Sequence, residues 1–216
     1  RRNNMQWFKV PAKIYFERNS IEYLHQMKEM GKVIIVTDRS MVDLGYVNRV
    51  TDQFKLRSPE VQYQLFCDVE PDPSIQTVLK GVQLMRSFEP DTIIALGGGS
   101  SMDAAKGMWL FYEHPEVNFN DLKQKFMDIR KRAFQYPEMG KKAKLVCIPT
   151  TSGTGSEVTP FAVISDKVEH KKCGICGEWM TLDKFYVFSR NSKDGTKVYS
   201  IYSPYCKVCT SIKNTK

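Results

Sequence analysis

The chain has 216 residues, with 32 Lys and Arg against 24 Asp and Glu, a net charge of +8 and 42% hydrophobic residues. That length and apolar content suffice for one large or two small cores, and no apolar run approaches the about 20 residues of a membrane-spanning helix. The charge is uneven: residues 1–166 carry a net of +2 and residues 167–216 a net of +6, as expected if two different pieces are joined. Arg1-Arg2-Asn3-Asn4 is not followed by the apolar core of a signal peptide, and the chain does not open on Met, so we expect a cytoplasmic protein and a fragment of a longer one.

In chain order, Val10 to Phe16 predicts an edge strand. Ser20 can cap a helix carrying Tyr23, Leu24 and Met27 on one face, ended by Gly31. Val33-Ile34-Ile35-Val36 is a continuous apolar run, as in a parallel strand covered on both faces. A helix over about 40–56 follows, then a strand at Val61 to Cys67. Val78, Val82 and Met85 share a face of a helix over about 74–88. Thr92 to Leu96 reads as a strand, and a helix begins after Ser100. A basic amphipathic helix is expected over about 120–135, and another strand over Leu145 to Ile148. Strands alternating with helices predict an α/β fold, a Rossmann-like parallel sheet with flanking helices. Past Lys167 the pattern changes. Phe185 to Phe188 and Val198 to Tyr202 predict a small β-hairpin around the turn Asn191-Ser192-Lys193-Asp194-Gly195.

Chemistry concentrates after the strands. In Gly97-Gly98-Gly99-Ser100 the three glycines remove every Cβ where a strand ends, so the backbone can approach a large ligand closely. The helix that follows offers free N–H groups to a pyrophosphate. No Gly-Lys-Ser/Thr follows, so this is not a P-loop. Met102 stands where the usual dinucleotide fingerprint has its third glycine. A tight turn without a ligand is the alternative on local grounds. Asp38 ends the first apolar strand, where a carboxylate can accept both hydroxyls of an adenosine ribose, or simply cap a helix. Asp103, in the first turn after the glycines, can interact favourably with the helix dipole. Thr150, Thr151, Thr154 and Thr159 bring uncharged hydroxyls to a second glycine-rich segment, and Asp72 follows another strand at the same expected edge.

These two segments, with Asn4 to Pro11, Val36-Thr37-Asp38-Arg39, Val69-Glu70-Pro71-Asp72-Pro73 and Gln124 to Arg130, resemble the iron-dependent (group III) alcohol dehydrogenases. The resemblance is closer still to the alcohol dehydrogenase half of bifunctional aldehyde–alcohol dehydrogenases. It covers about residues 1–167. It implies an NAD-binding domain and hydride transfer between NAD(H) and a short-chain alcohol or aldehyde. Asp38 would then favour NAD over NADP, Gly97 to Ser100 would hold the pyrophosphate, and Asp103 would lie near the nicotinamide. The resemblance adds Val163 and Lys172 to the cofactor shell. In this family Fe2+ or zinc is held by one aspartate and three histidines of a following helical domain. The histidines here are His25, His114 and His170, and none has the spacing of those ligands. The expectation is a cofactor half that is truncated and inactive alone, with homo-oligomerisation possible.

Cys173-Gly174-Ile175-Cys176 and Cys206-Lys207-Val208-Cys209 have the ligand spacing of a tetrahedral Zn2+ site, a redox dithiol pair being the alternative. The 29 residues between the pairs leave room for the hairpin. This region, about 168–216, resembles the small four-cysteine zinc ribbons of phage proteins and HNH-type endonucleases, though no His-Asn-His constellation is present. Its basic charge and its aromatics, Trp179, Phe185, Tyr186, Tyr199 and Tyr202, open a second possibility, a nucleic-acid-binding module fused to a dehydrogenase relic. Cys67 and Cys147 read as buried structural thiols.

Overall fold

The computed structural model describes residues 11–117, 119, 137–166, 170–181, 184–191 and 198–214. The chain divides into two compact units, 1–165 and 166–216. The expected helix over 120–135, residues 4–10 and the turn residues 192–195 lie outside the described residues.

In the first unit, β1 (Lys32–Val36), β2 (Gln62–Phe66), β3 (Thr92–Gly97) and β4 (Lys144–Pro149) form a parallel sheet in the order β2-β1-β3-β4. Its centre is apolar because both faces are covered: Val33 to Val36 and all of β3 are buried. The period-two alternation of a strand divides these residues between two cores. Ile34, Val36, Ile93 and Ala95 pack towards α4 (Ile75–Phe88) and α5 (Gly99–Glu113), whereas Val33, Ile35, Ile94 and Leu96 pack towards α3 (Tyr46–Lys55). Helices on both faces of a parallel sheet confirm the expected α/β class.

The local rules hold best where a cap is present. Ser74 accepts from the Thr77 N–H and caps α4, the helix expected over about 74–88. Gly81 lets α4 approach α5, since a Cβ there would lie 2.3 Å from Met108 Sδ. Elsewhere the structure corrects the expectation. The helix placed over 40–56 is two, α2 (Arg39–Asp43) and α3, because Gly45 takes a left-handed φ of 76° between them. The helix expected from Ser20 to Gly31 is a 3-10 turn, Ser20–Glu22, and one short α-helix, α1 (Tyr23–Gln26), since Met27 is already extended. Residues 11–16 form no strand, and Phe16 is 97% exposed. Apolar alternation cannot make a strand without a neighbour to complete its ladder.

The second unit holds two antiparallel pairs. β5 (His170–Lys172) pairs with β6 (Trp179–Thr181), and β7 (Phe185–Asn191) pairs with β8 (Val198–Cys206). A helix, α6 (Lys207–Asn214), follows directly. The β7–β8 hairpin is the expected one; the short β5–β6 pair and α6 are not announced by the sequence.

Candidate functional site

The chain leaves β1 towards β2 on one side, while β3 lies on the other. The loops after β1 and β3 therefore diverge, and this is where open α/β sheets form a ligand crevice. Thr37 ties its floor together. Its buried hydroxyl donates to the Leu96 carbonyl at 2.7 Å, and its N–H donates to the Phe66 carbonyl at 2.9 Å.

Asp38 stands at the rim. Its Oδ1 accepts the Met41 N–H at 3.2 Å, capping α2, and its Oδ2 lies 3.5 Å from the donor Ser101 Oγ. The two readings of this aspartate are therefore compatible, because the cap uses one oxygen and the other faces the β3–α5 turn. Gly97 has a φ of 144°, and a Cβ there would sit 2.6 Å from Ser101 Oγ and 3.4 Å from Asp38 Oδ2. A Cβ on Gly98 would come within 3.1 Å of Thr151 Oγ1, and one on Gly99 within 3.7 Å of the Thr154 Cβ. The glycines thus bring the 97–101 and 150–154 loops side by side. Gly98 is the cap residue of α5 and offers no side-chain cap, so N–H groups of the first turn, where Ser100 sits, remain available to an anion.

The second loop is anchored by the Thr150 N–H, which donates to the Gly97 carbonyl at 2.9 Å. Thr150, Thr151, Thr154 and Thr159 are all exposed. Thr154 Oγ1 also donates to Glu157 at 3.3 Å. Asp103 lies one turn into α5, and its carboxylate is bound on both oxygens. Oδ1 accepts Ser156 Oγ at 2.5 Å and faces Lys106 Nζ at 3.4 Å, and Oδ2 accepts the Val163 N–H at 3.0 Å. Val163 enters through its backbone, the residue being 70% exposed. Asp72 is exposed, with a φ of 53°, in the loop after β2. Lys172 lies in β5 of the second unit, paired in register with Trp179, and its side chain is outside the described residues.

Three polar residues of this region are not marked by local sequence. Ser101, Lys106 and Ser156 each join segments far apart in the chain, and no spacing rule reaches across them. The Asp103–Lys106 pair at i,i+3 was the one visible hint.

Among the described residues His25 and His114 join no metal site, and the His170 side chain lies outside them. His25 Nδ1 is 3.4 Å from Gln53 Oε1, and His114 lies between Glu116 Oε1 at 3.0 Å and the Glu138 carbonyl at 2.9 Å. Among the described residues, the one group of three or more His, Cys, Asp or Glu placed to share an ion is Cys173, Cys176, Cys206 and Cys209, whose sulfurs lie within 4.8 Å of one another. The Cys206 N–H donates to Cys173 Sγ at 3.3 Å, and the Cys209 N–H to Cys206 Sγ at 3.5 Å. The first turn closes through Gly177, at a φ of 74°, whose N–H donates to the Cys173 carbonyl at 2.9 Å. The Cys206 N–H, above all, draws the Cys173 thiol down to about 6, whereas Cys209 is pushed up to about 12, first by its hydrogen bond with Cys206 and then by burial. Four thiolates this close would repel one another, and a cation is what would let them coexist. Cys67 and Cys147 are half-buried rather than buried, and burial raises Cys147 to about 11.

Fold and crevice together define a doubly wound α/β domain with a glycine cradle at its switch point, carried on one chain with a small cysteine-centred unit. The model of the iron-containing alcohol dehydrogenase family matches residues 11–183, and the chain belongs to that family. The aldehyde-alcohol dehydrogenase of Streptococcus pneumoniae serotype 4 is 64% identical over 181 residues, which is 84% of this chain and 20% of that protein. Aldehyde-alcohol dehydrogenase 2 of Entamoeba histolytica is 67% identical over 172 residues, 80% of this chain and 20% of that one. The iron-containing alcohol dehydrogenase of Thermococcus thioreducens superposes with a TM-score of 0.65 at 28% identity, over 76% of this chain and 41% of that structure. The chain is therefore close to the alcohol dehydrogenase half of the bifunctional enzymes, and it spans 20% of the length of these curated relatives. The family match runs past Ser165 into the second unit. No helix among the described residues is long and apolar enough to cross a membrane.

Proposed function

We propose that the crevice between the ends of β1 and β3 binds NAD(H). The observation that carries this is the pairing of Asp38 Oδ2 with a turn where Gly97 has no room for a Cβ. In this reading Asp38 accepts the adenosine ribose hydroxyls and would repel a 2′-phosphate. Gly97, Gly98, Gly99 and Ser100 hold the pyrophosphate at the start of α5, and Thr150, Thr151, Thr154 and Thr159 flank it with hydroxyls. The nicotinamide half runs away from Asp38 towards Asp103 and Val163, with Asp72 at the outer rim. When bound, the nicotinamide supplies the hydride-accepting carbon. Titrating NADH and NADPH against the full chain by fluorescence tests this: NADH should bind more tightly, and Asp38→Ala should erase the difference. Equal affinity in the unaltered chain would sink the assignment.

For the enzymes this chain is similar to, the fitting reaction is NAD-dependent interconversion of a short-chain alcohol and its aldehyde, such as ethanol and acetaldehyde. The described residues do not fit an iron of the aspartate and three-histidine kind, because His25 and His114 are engaged elsewhere and join no such cluster. The role proposed for this chain is therefore coenzyme binding, in a domain of residues 1–167.

For residues 168–216 we propose a zinc ribbon. The four sulfurs fit tetrahedral Zn2+, whose about 2.3 Å bonds place sulfurs roughly 3.8 Å apart. The nucleic-acid reading rests on exposed Tyr186, whose ring centroid lies 5.9 Å from Lys207 Nζ. Salt-sensitive binding of single-stranded DNA would support it, and its absence at low salt would end it.

A further inference from the structure

Lys106 is the point where helix α5 and the 156–163 loop of the first unit meet. It lies on α5, and its side chain is 11% exposed. Its ammonium has three protons and three acceptors: Phe161 O at 2.7 Å, Ser156 Oγ at 2.8 Å and Asp103 Oδ1 at 3.4 Å. Ser156 in turn donates to Asp103, which also takes the Val163 N–H. The result is a closed polar ring between helix α5 and the 156–163 loop. Around this ring, Thr154 and Glu157 are linked to each other rather than to the helix.

A charged group so enclosed needs all its partners. The partners here are one helix carboxylate, one loop hydroxyl and one loop carbonyl. Removing the ammonium therefore leaves the Asp103 carboxylate beside the Ser156 hydroxyl with no cation, and releases Phe161 from the helix. The glycine cradle depends less on it. Gly97 to Gly99 and Asp38 are held by the ends of β1 and β3 and by the start of α5, on the other side of Asp103.

We propose that Lys106 is a positioning residue for the coenzyme. It holds the 156–163 loop against α5 so that the wall for the nicotinamide half is already built before the ligand arrives. The inference rests on the NAD(H) reading above. It also makes a distinction that the reading alone does not. Binding of the adenosine diphosphate half draws on Asp38 and the glycines, whereas binding of the whole dinucleotide needs the loop as well. If loss of Lys106 leaves the loop in place about a tenth of the time, apparent affinity for the dinucleotide falls about tenfold.

The experiment compares Lys106→Met and Ser156→Ala with the unaltered full chain. NADH and ADP are titrated separately, and exchange of the Val163 amide is followed. The expected result for Lys106→Met is an NADH dissociation constant raised about tenfold, an ADP constant changed less than about twofold, and faster exchange at Val163. Ser156→Ala, which keeps the ammonium, should shift NADH in the same direction by a smaller factor. A merely structural lysine would weaken ADP and NADH together. That outcome, or unchanged NADH affinity in a folded Lys106→Met chain, overturns the proposal. If Lys106→Met does not fold, the NADH-to-ADP ratio in Ser156→Ala decides it. If the unaltered chain binds ADP but not NADH, the dinucleotide reading fails first, and unchanged Val163 exchange in the variants would separately remove the ring's role in holding the loop.

Discussion

Ser101 Oγ lies 3.5 Å from Asp38 Oδ2, so the first turn of α5 and the end of β1 face each other across 63 residues of sequence. Gly97 is confined between them, at a φ of 144° that L side chains rarely adopt. We therefore expect Gly97→Ala to destabilise the chain by about 1–3 kcal/mol and to abolish NADH binding. Adding Ser101→Gly removes the 2.6 Å contact but not the backbone strain, so the double variant should recover only part of the lost stability. Denaturant melts of both variants check this, and a fully stable single variant would contradict the geometry.

The cysteine centre leads to a metal prediction. The purified chain should carry one zinc, and Cys206→Ser should lose it, because Cys206 supplies both a ligand sulfur and the N–H that bonds Cys173. Binding should release protons, since the ligands bind as thiolates. Elemental analysis decides it: full zinc retention in Cys206→Ser would rule out this ligand set, and chelation should unfold the second unit while the first persists.

Glu113, at the end of α5, gathers an entire turn. Its carboxylate accepts the N–H groups of Gly140 at 2.8 Å, Lys141 at 3.2 Å, Lys142 at 3.2 Å and Ala143 at 3.1 Å, and the Trp109 indole at 3.0 Å. Burial alone would raise this carboxyl, but the N–H groups of Ala143, Lys141 and Gly140 and the Trp109 indole outweigh it and hold the group below its ordinary 4.5. A folded value below the unfolded one adds stability above the unfolded value, and that stability is lost as pH falls through the folded value. Stability of the unaltered chain should therefore drop with acidification below about pH 4.5, and Glu113→Gln should flatten that part of the profile. At neutral pH the same substitution should cost about 2–3 kcal/mol, because it places an amide donor against other donors. Melts from about pH 3 to 7, compared between the two proteins, give both numbers; parallel profiles would show that Glu113 does not carry the acid limb.

Turnover is the fourth test. We expect the 216-residue chain, supplied with ferrous iron, NAD and ethanol, to form NADH at background rate. A bound alkoxide needs a Lewis acid beside the nicotinamide, and such a metal contributes several kcal/mol to the transition state. Asp103, the carboxylate proposed to lie towards the nicotinamide, has both oxygens committed to Ser156 and Val163. Iron-dependent growth of the NADH absorbance would overturn this.

Much of the fold was legible because it rests on local rules. Apolar runs marked β1 as a strand covered on both faces and β3 as a strand, the spacing of Val78, Val82 and Met85 marked α4, and the paired Cys-x-x-Cys spacing marked four candidate ligands. Glycines at 97–99 and a carboxylate at Asp38 marked one edge of the sheet, since glycine permits close backbone approach and an aspartate after a strand can cap the next helix. The tertiary structure decided what local pattern cannot. It split 39–55 at Gly45, left residues 11–16 without a partner strand, and showed that Asp38 caps α2 with one oxygen while presenting the other. It also turned Asp103 inward onto Ser156 and Val163. These outcomes depend on which distant backbone and side-chain groups satisfy one another's hydrogen bonds, and that is fixed only when the loops after β3 and β4 are packed side by side.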